Sequence, residues 1–474
     1  MQTKFIVPAT CLVFFALAGF VSVRADTLDA SFQALQTPSD SFPLKITKIY
    51  INGNKVTRPE IIRMYIGIDT GMTYDSVLAA AGKRRLLNTN LFSKVDVVPI
   101  RKNDGVNVYI IVTELFYVYP EGGGDYVVGK YGDTTHPLPI WYRLRLGLTI
   151  QNFRGSLETF SIRASVWDDR SLSVSWSKPF VPSPYYIGIG AGVHEYPDLA
   201  MPWNRFVVNG RLSGGRTLFG NSRISLSFVP TYSRVDTISN NAPVARFKEV
   251  YSVLGWSTDR RDRSFDPMKG WYVYTDALTN VLCTDYNRYV QVDGDLRLYH
   301  RGLFSVDRFA YRLQATLRSN DGGVYKGLYM GGQGSVRGYA RDQFGLTGIM
   351  NDYAVLSAEY RFPIWTMPCF LALPCFDIAL LSDYSDLLKT FYLRLDGAVI
   401  ADAGHIWRDL QHPMTPPREN ADGIGFGLRA MAPTLRRSLC LDVVWGIPVS
   451  ENPLPPSYFS WKNPSLDLYL DTYF

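Results

Sequence analysis

The chain has 474 residues, a formal net charge of +6 and a high aromatic content, with 30 Tyr, 26 Phe and 10 Trp beside 39 Gly. Its 49 basic and 43 acidic residues are scattered and form no basic block, which argues against a nucleic-acid partner. The composition also excludes collagen, coiled coil and a wholly disordered chain. Many aromatic residues and glycines are typical of β-proteins with aromatic girdles at two membrane interfaces, although a soluble β-sandwich could share them.

The N-terminus has the pattern of a secretory signal peptide. An apolar run, Phe5–Val23, is followed by Ala25 at a position where a signal peptidase accepts small residues. The alternative is an uncleaved anchor, because the run is close to membrane-spanning length. Pro8 and the Ala25 site favour cleavage. We therefore predict a signal peptide over residues 1–25 and a short polar linker over residues 26–43.

Cysteine and histidine usage gives little support for catalysis or metal binding. None of the cysteines or histidines has the spacing of a zinc site, and no nucleophile elbow or phosphate-binding loop is present, so we expect no enzyme activity, no metal and no cofactor. In an oxidising compartment a disulfide can join Cys369 to Cys375, and free thiols are equally compatible with the sequence. The cysteines that remain after cleavage are Cys283, Cys369, Cys375 and Cys440.

Residues 44–115 predict a small α/β domain with the element order β-α-α-β-β. The first strand stops at a turn around Gly53. Thr57 as N-cap and Pro59 in the first turn predict the start of one helix, and Asp75 is placed to cap the next. Two strands complete the domain: Val95–Ile100 and Val106–Thr113.

From residue 116 to residue 474 the sequence changes to alternating segments separated by turn residues. We count about sixteen such segments, an even number, as a barrel with both ends on the periplasmic side requires. Beyond the signal peptide no stretch of about 18 uncharged apolar residues appears, so a membrane location requires a closed barrel. We predict a mainly β protein, an antiparallel transmembrane β-barrel of about 16 strands behind the α/β domain. In one such segment, apolar and mostly polar residues alternate. The apolar residues are Tyr142, Leu144, Leu146, Leu148 and Ile150, and those between them are Arg143, Arg145, Gly147 and Thr149.

Two long gaps interrupt the predicted strands. The gap from about Ser319 to Asp352 is rich in glycine, and its length predicts an extracellular loop or one that folds back into the lumen. The gap from Trp365 to about Thr390 is apolar and falls on the periplasmic side by strand parity. An interfacial helix is our hypothesis for this second gap.

The strongest local signal is Gly334–Tyr339, a tight loop that presents Arg337 between two glycines. Such a guanidinium suits a bidentate bond to a carboxylate in a confined space, whereas an ordinary exposed loop is the alternative. Strand alternation places Glu359 and Asp402 in the lumen, because a charge on the lipid face is costly. We therefore predict that Arg337 folds into the barrel and meets these two carboxylates.

Several segments resemble the BamA-type outer-membrane assembly superfamily. The segments "KITKIYINGNKVTRPEI", "GMTYDSVLAAAGKRRLLNTNLFSKVDV" and "VNVYIIVTE" are together similar to a single POTRA domain. Motifs in the barrel region also match in order. They are the lumen-loop motif Val336, Arg337, Gly338 and Tyr339; its partner motif Ile400, Asp402 and Gly404, with "AEYRFPI" before it; the periplasmic-hairpin motif Asp259, Asp262, Pro267 and Gly270; and a C-terminal β-signal at Leu466, Leu468, Leu470 and Phe474. Ile400 stands where an aromatic residue is common.

The resemblance implies a bacterial outer-membrane protein with a periplasmic POTRA domain. It implies insertion of β-barrel proteins through an openable barrel seam, with unfolded barrel clients, the outer-membrane bilayer and periplasmic chaperones or accessory lipoproteins as partners. The first alternative is a two-partner-type secretion transporter, whose relatives usually carry a plug helix and two POTRA domains. The second alternative is a passive pore, which needs neither a POTRA domain nor the Arg337 loop.

Overall fold

The computed structural model describes residues 44–89, 91–102, 105–115, 117–128, 140–167, 169–180, 183–197, 203–218, 222–237, 243–263, 265–283, 288–319, 327–332, 334–339, 344–345, 350–368, 392–408, 418–432, 437–447 and 465–470. The predicted signal peptide and linker, the Cys369–Cys375 pair and Phe474 lie outside these residues.

The N-terminal domain is a three-stranded sheet with two helices packed on one face. Its elements are β1 (Lys45–Asn52), α1 (Pro59–Ile66), α2 (Ser76–Asn88), β2 (Phe92–Lys102) and β3 (Gly105–Glu114). The strand order is β1-β3-β2, with β1 parallel and β2 antiparallel to β3. Its core is built from alternate strand residues and the inner helix faces, because both periodicities place apolar side chains toward the same layer. The most deeply buried members are Ile62, Ile66, Leu86, Val95, Val108 and Ile110.

The start of α1 differs from the sequence prediction. Arg58, not Thr57, is the N-cap residue, and it makes no side-chain capping bond. Because Pro59 occupies the first helical turn, the helix begins one residue later than the Thr57 cap requires. The Asp75 prediction is confirmed, since its carboxylate accepts a hydrogen bond from the Val77 backbone N–H at 2.8 Å.

Among the described residues, sixteen strands follow as one antiparallel sheet that closes on itself. Each strand pairs with its neighbours in sequence, so the sheet is a continuous meander. Trp365, predicted to open an apolar insertion, belongs to the end of β15, and residues 369–391 lie outside the described part. The strands are β4 (Val118–Val128), β5 (Ile140–Phe153), β6 (Glu158–Trp167), β7 (Arg170–Pro179), β8 (Tyr185–Pro197), β9 (Trp203–Thr217), β10 (Ser222–Thr237), β11 (Pro243–Asp259), β12 (Gly270–Cys283), β13 (Val290–Arg301), β14 (Arg308–Arg318), β15 (Asp352–Pro368), β16 (Tyr392–Trp407), β17 (Arg418–Ala432), β18 (Arg437–Ile447) and β19 (Ser465–Leu470).

The two faces of the barrel wall differ sharply in polarity. On β15 the side chains of Ser357, Glu359 and Arg361 are buried in the lumen, while Tyr360 and Phe362 alternate with them on the outside. The same alternation on other strands exposes an apolar outer surface, as lipid contact requires. Members of that surface include Leu146, Ile162, Leu172, Ile189, Leu212, Leu226, Leu254, Leu296, Leu313 and Phe426. No helix among the described residues is long and apolar enough to cross a membrane.

The seam of the barrel lies between its first and last strands. β4 pairs with β5 along its whole length, from Val118 opposite Ile150 to Val128 opposite Ile140. In the part of the chain that the structure describes, β19 meets β4 through one residue pair, Tyr469 with Gly123. Gly123 lies within a run of three glycines, which provide no side chains to pack across the seam.

The N-terminal domain contacts the barrel at the turn between β5 and β6. The carboxylate of Glu114 accepts hydrogen bonds from the backbone N–H groups of Lys55, Val56 and Thr57 at 2.7–3.0 Å, which orders the loop between β1 and α1. The Asn152 side-chain amide then donates to the Thr57 hydroxyl at 2.8 Å. A backbone bond of 3.1 Å joins the Arg58 N–H to the carbonyl of Gly155. The domain and the β5–β6 turn are therefore directly connected.

Two further contacts strengthen this junction. The Thr57 hydroxyl also lies 3.0 Å from the Tyr117 hydroxyl, and burial raises the pKa of that phenol, so it stays neutral. Gly155 adopts φ +71°, and a Cβ there would lie 2.0 Å from the Val56 carbonyl oxygen. Glycine is therefore required where the turn approaches the domain.

Candidate functional site: ion-pair clusters in the lumen

The connection between β14 and β15 folds back into the barrel. A tight turn closes where the Gly332 N–H donates to the Val336 carbonyl at 2.9 Å. The loop shares an apolar core with the barrel wall, in which the rings of Tyr339 and Phe344 meet edge to face at 4.8 Å. Burial of these side chains against the barrel wall holds the loop inside, since exposing them at the surface would lose that packing. The remaining members are Met330, Val336, Met350, Val355, Ile406 and Ala421.

Arg337 lies at the tip of this loop and is fully buried. Its Nε and Nη2 donate to the two oxygens of Asp402 at 2.7 and 2.8 Å, and its backbone N–H donates to the same carboxylate at 3.0 Å. Its Nη1 donates to Glu359. The loop tip is thus joined to β16 by a bidentate ion pair and to β15 by a second charged bond.

Three residues that the sequence reasoning did not name as partners complete the cluster. Asp442 on β18 lies 3.3 Å from Arg337 Nη1, and Arg429 on β17 bonds both Asp442 and Glu359. Arg361 donates to Glu359 at 2.6 Å. Three arginines therefore face three carboxylates, and their formal charges cancel inside a region closed to solvent. We call this set the loop cluster: Arg337, Glu359, Arg361, Asp402, Arg429 and Asp442.

Small residues on the wall make room for the loop. A Cβ on Gly404 would lie 2.4 Å from Val336 Cγ2, and one on Gly423 would lie 2.2 Å from the Arg337 carbonyl oxygen. The Tyr339 hydroxyl donates toward the backbone carbonyls of Asp422 and Ile447 at 2.9 and 2.8 Å. The loop therefore bridges four consecutive strands, β15 to β18.

The periplasmic hairpin between β11 and β12 forms a second buried cluster. Its Asp262 carboxylate accepts hydrogen bonds from the backbone N–H groups of Arg263, Met268 and Lys269 at 3.0–3.3 Å and so shapes the turn. Pro267 is buried. Gly270, at φ +106°, passes so close to the Arg260 carbonyl that a side chain would clash. Asp259 instead forms a local pair with Arg261 at 2.7 Å.

Asp266, which the sequence motif did not single out, connects this hairpin to distant strands. It is buried, adopts φ +56° and bonds Arg308 at the start of β14. It also accepts from Arg394 Nη2 at 2.7 Å, and Arg394 in turn bonds Asp396 on β16 at 2.6 Å. We call this set the hairpin cluster: Asp266, Arg308, Arg394 and Asp396. Its two positive and two negative charges also cancel.

The two clusters each hold an inward-folded segment and adjoin in the lumen, since Arg308 of the hairpin cluster and Arg361 of the loop cluster are direct partners on β14 and β15. One fixes the β14–β15 loop and the other fixes the β11–β12 hairpin on the side of the N-terminal domain, so both segments occupy part of the lumen. Of the predicted C-terminal signal, Leu466, Leu468 and Leu470 lie on β19, which pairs with β18. Cys440, on β18, is buried. Among the described residues no group of histidine, cysteine or acidic side chains has the arrangement of a metal site.

Comparisons with known proteins are consistent with this geometry. Residues 152–441 match the model of the Omp85 superfamily domain, and residues 44–115 match the POTRA model described as a surface antigen variable number repeat. BamA from Haemophilus ducreyi lacking POTRA domains 1–3 has a similar structure, with a TM-score of 0.56 at 16% identity over 91% of this chain and 84% of that one. No curated protein sequence matches the chain.

Two CdiB structures are similar to the same extent. CdiB from Acinetobacter baumannii has a TM-score of 0.58 at 14% identity, covering 90% of this chain and 73% of that one. CdiB from Escherichia coli has a TM-score of 0.56 at 12% identity, covering 90% and 76%. At these identities the similarity concerns the fold.

Proposed function

This chain belongs to the Omp85 superfamily, as its motifs predicted, and we propose that it inserts β-barrel proteins into the outer membrane through its seam. The protein is an outer-membrane β-barrel with its POTRA domain in the periplasm. Members of the family act on outer-membrane barrel proteins or on secreted proteins. The specific role in insertion is the proposal.

The observation that carries the proposal is the sparse pairing at the seam. One described residue pair, Tyr469 with Gly123, joins β19 to β4, whereas neighbouring strands elsewhere pair over most of their length. A strand edge with unpaired N–H and C=O groups is a template for another strand. Opening this pair would present such an edge to a client strand at the level of the membrane.

Side-chain contacts support a further part of the proposal, namely that β4 would keep its place if the seam opened. Glu121 on β4 accepts from Thr149 Oγ1 on β5 at 2.6 Å and from Arg163 on β6 at 2.5 and 3.0 Å. β4 is therefore tied to two further strands by charged bonds as well as by its ladder. We propose that β19 separates from β4 while β4 stays with the sheet, so the edge of β4 receives the client.

A secretion transporter is the second candidate, because the barrels of the two CdiB proteins are as similar as that of the BamA protein. Passage through the lumen would require the loop or the hairpin to leave its cluster. Separating a buried ion pair costs several kcal/mol unless both partners regain water. The two neutral clusters therefore favour sideways insertion over transport through the lumen.

Depletion of the protein in its own host tests the proposal. Quantitative proteomics of outer membranes should show a broad loss of barrel proteins if the protein is a general insertase. Loss of a single secreted or surface protein, with the barrel proteins unchanged, would support the transporter instead. A parallel depletion of an unrelated barrel protein controls for general envelope stress.

A further inference from the structure

The turn between β13 and β14, residues 302–307, exposes three large apolar side chains at the periplasmic end of the barrel. Leu303, Phe304 and Val306 are 77%, 70% and 58% exposed, and Leu303 is the most exposed large apolar residue in the described ranges. Periplasmic turns of such barrels are short and normally in water, where contiguous apolar surface is unfavourable. We call these three residues the apolar turn tip.

The turn holds this tip in a defined conformation. Asp307 is buried, and its carboxylate accepts a hydrogen bond from the Phe304 backbone N–H at 2.8 Å. Its carbonyl accepts from the Gly302 N–H at 2.9 Å. The turn therefore holds the apolar side chains in a defined conformation. Little further conformational entropy is lost when they bind a partner.

The direction of the turn follows from its contact with β15. The Tyr360 hydroxyl donates to Asp307, and Tyr360 faces outward because Glu359 and Arg361 on either side of it face the lumen. A Cβ on Gly302 would lie 3.0 Å from the Tyr360 ring. The turn consequently leans against the outer wall of the barrel and away from the lumen.

The same patch of outer wall is aromatic. His300 lies 5.1 Å from the Phe309 ring, Phe309 lies 4.9 Å from Tyr360, and Tyr360 lies 5.8 Å from Phe362. Aromatic side chains are enriched where a membrane protein crosses the boundary between headgroups and acyl chains. The turn that displays the apolar tip is joined to this belt through the bond between Tyr360 and Asp307.

We propose that the β13–β14 turn is an interfacial anchor, with the apolar turn tip inserted into the periplasmic leaflet of the outer membrane. Burial of apolar side chains at the headgroup boundary supplies the driving force, as for other interfacial segments. The anchor fixes how deeply this side of the barrel sits in the membrane. Counted from β19 at the seam, β14 is the sixth strand in the sheet. The proposal is independent of whether the protein is an insertase.

Photo-crosslinking tests the proposal on the full-length protein. Phe304 is replaced by p-benzoylphenylalanine, and the protein is irradiated in vesicles of phosphatidylethanolamine and phosphatidylglycerol and also in cells. The matched control carries the same group at Arg263, an exposed position in the β11–β12 hairpin. We expect lipid adducts in the variant with the group at position 304 and no lipid adducts in the variant with the group at position 263.

Two results would overturn the anchor. One is the absence of lipid adducts at position 304 in a protein that remains folded. Folding is judged in gels, where an unheated folded barrel migrates faster than the heated, unfolded protein. The other is a discrete protein adduct at position 304 in cells, which would make a protein the occupant. If the Phe304 variant does not fold, the group is moved to Val306, where the same two results apply.

Discussion

Arg337 and Asp402 are 65 residues apart in sequence and form a fully buried bidentate ion pair with donor–acceptor distances of 2.7 and 2.8 Å. The pair joins the tip of an inward-folded loop to the middle of β16. The charges around this pair are neutralised as well, because each charge of the loop cluster has a partner of opposite sign. The loop therefore behaves as part of the barrel wall, and its release requires several ion pairs to separate together.

Arg337→Ala should destabilise the folded barrel by about 3–5 kcal/mol, because Asp402 would be left buried without its arginine and Glu359 would lose one of its three. The measurement is the temperature or urea concentration at which the folded band converts to the unfolded band in gels. Arg337→Lys should recover only part of the loss, since an ammonium cannot form the bidentate bond. Arg263→Ala, at an exposed position, is the control, and equal stability of Arg337→Ala and this control would contradict the role of the pair.

Gly338→Ala should be strongly destabilising whereas Gly334→Ala should be close to neutral. Gly338 has φ +94°, and a Cβ there would lie 2.8 Å from the Gly446 nitrogen. Gly334 has no atom within 4 Å of the corresponding position. The two variants make the same chemical change in one loop, so comparing their unfolding in urea isolates the close approach to the wall. A larger loss for Gly334→Ala would contradict the seating of the loop.

Asp266→Ala should loosen the periplasmic hairpin, because Arg308 and Arg394 would lose a buried carboxylate that they share. We expect a loss of about 3–5 kcal/mol in the free energy of unfolding and faster proteolysis of the hairpin from the periplasmic side. Asp262→Ala removes only exposed turn contacts and should cost less. If Asp262→Ala proves the more harmful of the two, the hairpin cluster is not what holds this segment.

Glu114→Gln combined with Asn152→Ala should free the POTRA domain from the barrel without unfolding either part. Glu114 orders the β1–α1 loop by three bonds, and Asn152 joins that loop to the β5–β6 turn. Double electron–electron resonance between labels on α2 and on β6 should show a broader distance distribution. Glu60→Gln, on α1, is the control. An unchanged distribution in the double variant would show that other contacts fix the domain.

The sequence alone predicts the barrel and the central contacts of the loop for a definite reason. Alternation assigns each strand residue to lipid or lumen, so Glu359 and Asp402 could be named as inward carboxylates near Arg337. The same rule applied to β18 places Asp442 inward, between Leu441 and Val443, and this signal was missed. Alternation gives the face of a residue but not the register between distant strands, so the links from Arg429 to Asp442 and Glu359 needed the structure.

Turns and junctions were harder to predict, because they have no periodicity. Asp266 stands in a turn, and its bonds reach residues 42 and 128 positions away. Thr57 has the residue type of a helix cap, yet Pro59 shifts the helix start and leaves the hydroxyl for the contacts to Asn152 and Tyr117. Local propensity correctly identifies such residues as special but does not say which distant group they meet.

A disulfide across the seam tests the central claim most directly. Gly123→Cys and Tyr469→Cys, which are direct partners, are introduced in a chain whose four cysteines beyond residue 25 are replaced by alanine. The control joins Gly123→Cys to Arg145→Cys, the partner position on β5. Purified protein is placed in vesicles, and the folding rate of an added unfolded barrel protein is measured before and after reduction. We predict that oxidation stops the acceleration by the seam pair, that reduction restores it, and that the control pair accelerates folding in both states; full acceleration with the seam locked would contradict insertion through β4 and β19.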